Sequence, residues 1–513
     1  MSASARRIAL FALAGVILLS GWAVALGLGV RLREVSRHRV TLAEVPHHAA
    51  AAPVEVAEPR APEEIRAPID PGDKVLVEGS VERAFREFAA QPEAAGAAVA
   101  FCLLDENGAT IFASPLAEVA LCPASSLKTV TTGAAFGVLG PEFRFETVLA
   151  ATAPVGKEGL LEGDLLLIGA GDPTLSEEDL AALATEAVAA GLKRVNGRIL
   201  VDTAVFPANP VSDHWVWGDI GNAYGAGAFG LNLNHNRLRL KFQRVAEPGK
   251  PAPLLGKPAV PRETRWINTV TTGPADSGDE VVVYSEPFGR VITLRGTVPA
   301  GEGAFPVSGA LPDPPALAAE LLRARLEEGG VKFAERSRTA KLPEGDRTTL
   351  ARHWSASLPE IIDHLHRVSD NLEAQCLFLS IGKKLENDPA AAIRAHWENA
   401  GVAFTGLRLL DGSGLARANM IRALDLARVN SAARRGPHGQ RYQQSLSAYL
   451  GGNVRAKIGA MSGVKTQVGF LRTAKGRELT FAVMGNGLAP GGDFWQQVEK
   501  LQEAVRTAED LGK

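Results

Sequence analysis

Apolar and polar positions divide the chain into three parts. The longest apolar stretch, Ile8–Val30, carries no charge and follows Arg6 and Arg7. As a helix it is about 34 Å long, enough to cross a bilayer. Ala23-Val24-Ala25 offers a small-residue cleavage site, but apolar residues continue past it. That continuation favours an uncleaved transmembrane signal anchor over a removed signal peptide. Arg31, Arg33, Arg37 and Arg39 follow the run and by themselves prefer the cytoplasmic side. Residues 40–73 lose the pattern altogether. Pro46, Pro53, Pro59, Pro62, Pro68 and Pro71 interrupt them, and few large apolar residues intervene. This is the composition of an extended Ala/Pro-rich linker.

Patterned sequence resumes near Lys74. Apolar runs at Ala97–Leu104 and Ala109–Ala113 flank Asp105-Glu106-Asn107-Gly108, which predicts a hairpin. A helix is predicted from Ser125 to about Leu139, ending at Gly140-Pro141. It contains Thr129, Val130, Thr131 and Thr132, weak helix formers, so tertiary burial has to hold it. Asp164–Gly169 and Gly197–Phe206 read as strands. Between them Ser176 is placed to cap a helix from Glu177 to about Ala190, with Asp179 at the third helical position. Arg237–Val245, Glu280–Tyr284 and Val291–Thr297 read as strands among Pro- and Gly-rich turns, and Pro315 opens a helix to about Glu328. Beyond Ser369 the periodicity of Leu372, Ala374, Leu377 and Ile381 predicts a helix. Strands follow at Ala456–Ala460, Val468–Thr473 and Leu479–Met484, and Asp493 caps a last helix carrying Phe494, Val498, Leu501 and Val505.

Composition adds limits. The chain has 513 residues, too many for one core. Its net charge of -2 leaves no basic excess for a nucleic-acid partner. Cys102, Cys122 and Cys376 are too few and too scattered for a disulfide scaffold. No metal-binding motif is present. His364 and His366, two apart on a helix, point away from each other and do not form a ligand pair. The expectation is therefore no metal and no cofactor.

The candidate chemistry lies in Pro123-Ala124-Ser125-Ser126-Leu127-Lys128. Three residues apart on a helix, Ser125 and Lys128 share a face. A serine hydroxyl needs a base to become nucleophilic, and a lysine whose pKa is lowered by burial or a second cation is one. The helix N-terminus also favours the negative charge that develops on attack. The same spacing recurs at Ser380–Lys383 and Ser462–Lys465, so spacing alone does not single out Ser125. Its downstream company does: Ser369-Asp370-Asn371, then Lys457-Ile458-Gly459. S-x-x-K, S-D-N and K-T-G in that order are the signature of serine β-lactamases and penicillin-binding proteins.

With these motifs, and with GAGDPTL from Gly169, DGSGLAR from Asp411 and KIGAMSGVKTQVGFL from Lys457, the chain resembles the class C low-molecular-mass penicillin-binding proteins. This is the D-alanyl-D-alanine carboxypeptidase/endopeptidase family of penicillin-binding protein 4 type. The likeness spans about residues 80–490. It implies an α/β (α+β) serine DD-peptidase, β-lactamase-like domain with two inserted domains. The long interval between Ser125 and Ser369 agrees with that organisation. The expected layout is a catalytic domain at 74–154 plus 346–513, an inserted domain at 155–205 plus 308–345, and a nested β-rich domain at 206–307.

The resemblance also implies roles. Ser125 forms the acyl-enzyme, Lys128 is the general base, and Ser369 relays a proton to the leaving amine. Asn371 holds the substrate amide, and Lys457 supplies positive potential. The N–H groups of Ser125 and Ala460 form the oxyanion hole. Gly459 lets a substrate backbone lie against the strand, and Asp219 and Arg417 read the peptide's side-chain end. One residue departs from the family. Ile458 stands where it has threonine, and so lacks the hydroxyl that would bond the substrate carboxylate. Lys465-Thr466-Gln467 is a rival third motif but lacks the glycine.

Two readings of function follow. The first is a serine-type D-Ala-D-Ala carboxypeptidase or endopeptidase acting on peptidoglycan stem peptides and acylated by penicillin, on the outer side of the bacterial cytoplasmic membrane. The alternative is a catalytically weak relative that binds peptidoglycan or an envelope partner. No E-x-x-L-N stretch follows Ser369 to position a deacylating water, which disfavours a β-lactamase.

Overall fold

Three central strands are buried on both faces, which is why they read as near-continuous apolar runs rather than as alternation. They are Ala98–Leu104, Glu478–Asn486 and Val464–Arg472, within an antiparallel six-stranded sheet. Its order is Thr110–Ala113, Ala98–Leu104, Glu478–Asn486, Val464–Arg472, Val454–Met461, Ser447–Tyr449. The computed structural model describes residues 79–334, 338–339 and 345–512. The apolar run 8–30 and the linker 40–73 lie outside the described residues. Among those described, no helix is long and apolar enough to cross a membrane.

Helices cover both faces of this sheet. On one side the helices Ser80–Ala89 and Phe494–Thr507 pack together. They bury Phe85, Phe88, Phe494 and Leu501 against Phe101, Phe481 and Val483. On the other side lie Lys128–Val138, Asn371–Lys384 and Ala423–Arg435, with Val130, Leu377 and Leu426 in one cluster with Cys102, Phe470 and Met484. All three cysteines are buried and free.

The Lys128–Val138 helix is held as its weak propensity requires. Thr129, Thr131 and Thr132 are fully buried. Their hydroxyls donate to the carbonyls of Ser126, Gly412 and Lys128, each at 2.8 Å. The helix begins later than its sequence suggests, because Ala124–Leu127 forms a 3₁₀ turn. Ser125 therefore sits on a tight turn ahead of the α-helix.

The insertion contains a second sheet, in the order Arg338–Thr339, Ile199–Asp202, Leu165–Ile168, Glu146–Ala151, Thr348–Trp354. This corrects the expected boundary at 155. Glu146–Ala151 pairs with Leu165–Ile168 and Thr348–Trp354, not with the catalytic sheet. Helices Glu177–Ala189 and Pro314–Glu328 pack together on it. Ser176 and Asp179 make the reciprocal cap expected of them. Nested within is a β-rich segment of short ladders, among them Arg237–Gln243 against Ala304–Ala310 and Arg265–Asn268 beside Val291–Arg295. One apolar cluster runs through both inserted parts, from Leu149, Leu167 and Leu322 to Val283, Leu294 and Phe242. They pack on each other as a single core.

Candidate active site

The centre of the site is the fully buried Lys128. Its Nζ lies 2.9 Å from Ser125 Oγ, 2.6 Å from Asn371 Oδ1 and 2.8 Å from the Ser413 carbonyl. Asn371 is oriented by its amide nitrogen, which donates to the Tyr224 carbonyl at 2.7 Å. Its oxygen must therefore face Lys128. Asn371 Oδ1 and Ser413 O only accept hydrogen bonds. A neutral amine has two N–H donors, and these two acceptors use both. The lone pair is left directed at the Ser125 hydroxyl, the arrangement a general base needs.

Burial holds the Lys128 amine well below the usual lysine range, and the charge of Lys457 adds to the effect. Asp411 and Asp370 oppose it. Lys457 is itself almost wholly buried, which lowers it to about 8. Its Nζ donates to Ser369 Oγ at 2.9 Å and to the Ile458 carbonyl at 2.7 Å. The neighbouring His366 is also buried. Burial first, then Lys457 and Lys128, lower it to about 3. Its nitrogens lie 3.0 Å from Thr132 Oγ1 and 2.9 Å from Ser445 Oγ.

Local backbone aims these groups. Ala124, just before Ser125, has φ 45°, and Ser369, between two helices, has φ 59°. Both are strained positions for residues with a Cβ. Asp370 caps the Asn371–Lys384 helix through the Glu373 N–H at 3.0 Å, which sets Asn371 at its first position. The Asp411–Arg417 loop is tied around one buried carboxylate. Asp411 accepts from the N–H groups of Ser413, Gly414 and Ala416 at 2.6–2.9 Å, and from Trp215 Nε1 at 2.8 Å. Gly414 is required there, because at φ +83° a Cβ would stand 1.9 Å from the Ala124 carbonyl.

Gly459 also packs closely against this turn. A Cβ there would come within 2.7 Å of Pro123 O and Ser126 N, and 2.5 Å of Thr466 Oγ1. The missing side chain makes room for the turn that carries Ser125. The same contacts exclude the rival motif. Thr466 Oγ1 is buried 2.6 Å from Pro123 O and 3.0 Å from Ser126 Oγ. Ser126 is likewise committed, donating to Pro123 O at 2.7 Å. Of the other S-x-x-K matches, Ser380 donates to the Cys376 carbonyl while Lys383 is exposed. Lys465 reaches the Gly492 carbonyl instead of Ser462.

Ser125, Ser369, Asn371, Asp219, Arg417 and Ala460 line one cleft of about 370 Å³. Residues far apart in sequence are thus brought together, including the two candidates for reading the peptide. Tyr224, which spacing did not reveal, shares the cleft, and its hydroxyl donates to Asp219 at 3.1 Å. Ile458 is not among the lining residues. Strand alternation puts it on the same face as Val454 and Ala456, which belong to the cluster on the sheet's far side. It stands at an edge, however. Ser447–Tyr449 pairs only with Val454–Ala456, leaving 457–461 unpaired on that side among the described residues.

The profile of the D-Ala-D-Ala carboxypeptidase 3 (S13) family matches residues 81–507. A D-alanyl-D-alanine carboxypeptidase of Actinomadura sp. (strain R39) is 32% identical over 399 residues, covering 72% of this chain and 73% of its own. The D-alanyl-D-alanine carboxypeptidase DacB of Haemophilus influenzae is 26% identical over 417 residues, 76% of this chain and 83% of its own. The crystal structure of penicillin binding protein 4 (dacB) from Haemophilus influenzae superposes with a TM-score of 0.71 at 22% identity, over 83% of this chain and 98% of that one. The likeness in structure establishes the fold, and the match across the folded region establishes the lineage: the chain belongs to the D-Ala-D-Ala carboxypeptidase 3 (S13) family.

Proposed function

We propose that the protein is a serine-type DD-peptidase that cleaves D-Ala-D-Ala or D-alanyl cross-link bonds of peptidoglycan stem peptides through an acyl-enzyme on Ser125. The observation that carries this reading is the buried Lys128 amine, held well below the usual lysine range, 2.9 Å from Ser125 Oγ and close to two oxygens that only accept. Lys128 takes the hydroxyl proton as Ser125 attacks the scissile carbonyl. The N–H groups of Ser125 and Ala460 hold the resulting oxyanion. Ser369 relays that proton to the leaving amine while Lys457 keeps its charge beside it, and Asn371 bonds the substrate amide. The peptide lies along the free edge at 457–461, adding a strand to the sheet. Asp219 and Arg417 receive its side-chain end, each matching a group of opposite charge. Water then releases the acyl group.

β-Lactams resemble the D-Ala-D-Ala terminus and acylate the same serine. A fluorescent penicillin is expected to label the wild type, Ser380→Ala and Ser462→Ala, and to leave Ser125→Ala unlabelled. Peptide mapping of the label to Ser126 or Ser462 would overturn the assignment.

The two lysines predict a bell-shaped pH dependence of acylation. Lys128 works only when neutral, so the rate climbs with pH through its lowered pKa. Lys457 works only when charged, so the rate declines as pH passes about 8. In Lys457→Arg the guanidinium keeps its proton to about pH 12 or beyond. Stopped-flow acylation by a chromogenic β-lactam is expected to lose the alkaline limb in that variant and keep the acidic one. An alkaline limb that stays near 8 assigns it to another group.

Ile458 tests which end of the substrate the edge receives. If a terminal carboxylate lies beside it, Ile458→Thr adds a charge-assisted hydrogen bond of roughly 1.5–3 kcal/mol. That raises kcat/KM on a D-Ala-D-Ala peptide about ten- to a hundred-fold. An amidated peptide is expected to gain little. Equal rates on both peptides before and after the change would show that no carboxylate is read there.

The protein acts in the bacterial envelope, and we place 8–30 as its anchor in the cytoplasmic membrane with 40–73 as a spacer. Protease added to intact spheroplasts is expected to remove everything beyond about residue 74. Full protection of that part refutes this placement.

A further inference from the structure

Behind the S-D-N motif, on the side away from Ser125, the fold gathers a second set of chemical groups that the peptidase reading does not use. His235 comes from the insertion, His364 from the Leu358–Val368 helix, and Asp370 and Glu373 from the start of the Asn371–Lys384 helix. One nitrogen from each imidazole and one oxygen of Asp370 lie within 4.8 Å of one another. His235 Nδ1 is 3.5 Å from Asp370 Oδ2 and 4.0 Å from Glu373 Oε1. His364 Nδ1 is 2.8 Å from Glu373 Oε1. Ligands at about 2.1 Å around a tetrahedral zinc ion stand about 3.4 Å apart, so these spacings need only small adjustments.

Two polar atoms here lack hydrogen-bond partners. Glu373 is fully buried, and its Oε2 bonds to nothing. His235 Nδ1 is also buried without a hydrogen bond. A buried carboxylate oxygen left unpaired is costly unless a cation meets it. His235 is held in place at some strain. Asn234, His235 and Asn236 all have positive φ, 51°, 54° and 50°. Asn236 secures this turn by accepting from the Leu233 N–H at 2.9 Å and donating to Asn232 Oδ1 at 2.7 Å. Backbone strain of this kind persists where surrounding contacts fix a side chain. Arg237 also contacts Asp370 Oδ2, at 2.7 Å, supplying one positive charge against two carboxylates. His235 and His364 line a cavity of about 710 Å³ that gives an ion a way in.

From this geometry we propose a binding site for one divalent transition cation of the zinc class, with His235, His364 and Asp370 as ligands and Glu373 completing the set. Two imidazoles with carboxylates suit zinc or cobalt better than calcium or magnesium, which prefer all-oxygen cages. The ion would tie the insertion to the residues on either side of Asp370. These are Ser369 and Asn371, so occupancy would stiffen the cleft from behind without touching substrate. Sequence spacing did not suggest it, because His364 finds its partner in the insertion rather than in His366.

The test uses the full chain without added histidines, stripped by chelator and titrated with Co²⁺. The expected result is a visible spectrum of tetrahedral type that saturates at about one equivalent and is displaced by Zn²⁺. His235→Gln and His364→Gln each weaken binding about tenfold or more, while His214→Gln, an exposed control, does not. Zn²⁺ raises Tm in the wild type and not in the two variants, whose fold is checked by circular dichroism. The absence of a saturating Co²⁺ spectrum, or a spectrum unchanged in both variants, overturns the site and leaves the cluster as histidine–carboxylate ion pairs.

Discussion

Everything in the site depends on keeping one amine dry and neutral. A lysine in water is charged and useless as a base at neutral pH. Complete burial, and the neighbouring charge of Lys457, hold the Lys128 amine well below the usual lysine range. Burial brings a constraint, since the amine's hydrogens need partners that do not pull its lone pair away from Ser125. Asn371 Oδ1 and Ser413 O meet it, being acceptors only. Each is in turn held by a further contact, Asn371 by the Tyr224 carbonyl and Ser413 by the Asp411 knot. The catalytic geometry is thus the end of a chain of buried hydrogen bonds, several of which begin outside the catalytic sheet.

The insertion is accordingly part of the site. Trp215 donates to Asp411, and Tyr224 orients Asn371. Arg237 reaches Asp370, while Asp219 and Tyr224 form one wall of the cleft. Removing such a segment would leave buried polar groups of the S-D-N and DGSGLAR stretches unpaired, and unpaired buried groups are expensive. The chain carries the insertion between its first two motifs, where it can fold back over both.

What the sequence made legible was local. Ser125 and Lys128 are one turn apart, Asn371 opens a periodic helix, and the serine–aspartate cap at Ser176 is a short-range pattern. Ordered motifs supplied Lys457 and, through resemblance, Asp219 and Arg417. Illegible features depended on long-range contacts. Nothing near Trp215 or Tyr224 announces a hydrogen bond to a motif some two hundred or more than a hundred residues away. The Ala423–Arg435 helix went unpredicted because much of its buried surface is polar. Arg422 just before it pairs with the buried Asp425, and Asn430 bonds Tyr442. Apolar periodicity is blunted where the core is a hydrogen-bond network. The Glu146–Ala151 strand was assigned to the wrong domain because a buried strand does not say which sheet receives it. Glycine at 459 signals close approach without naming the partner, and the contact with the Ser125 turn is visible only in the fold.

The site also works against the stability of the fold that carries it. Lowering Lys457 from the ordinary 10.5 to about 8 means that the folded chain disfavours its charge by roughly 3 kcal/mol. The sign follows from proton binding. Between those two values the unfolded chain binds more protons, so stability rises with pH across that window. Below about 8 the cost is felt in full. Lys128 adds to this, as do the strained backbones of Ala124 and Ser369. These costs are local, whereas the compensation is spread through apolar clusters on both faces of the six-stranded sheet. An apolar residue of similar length at 457 would relieve the buried charge and lose the group that donates to Ser369 and lowers the Lys128 amine. The two properties cannot be improved together, because the same desolvation that weakens the fold is what lowers the Lys128 amine.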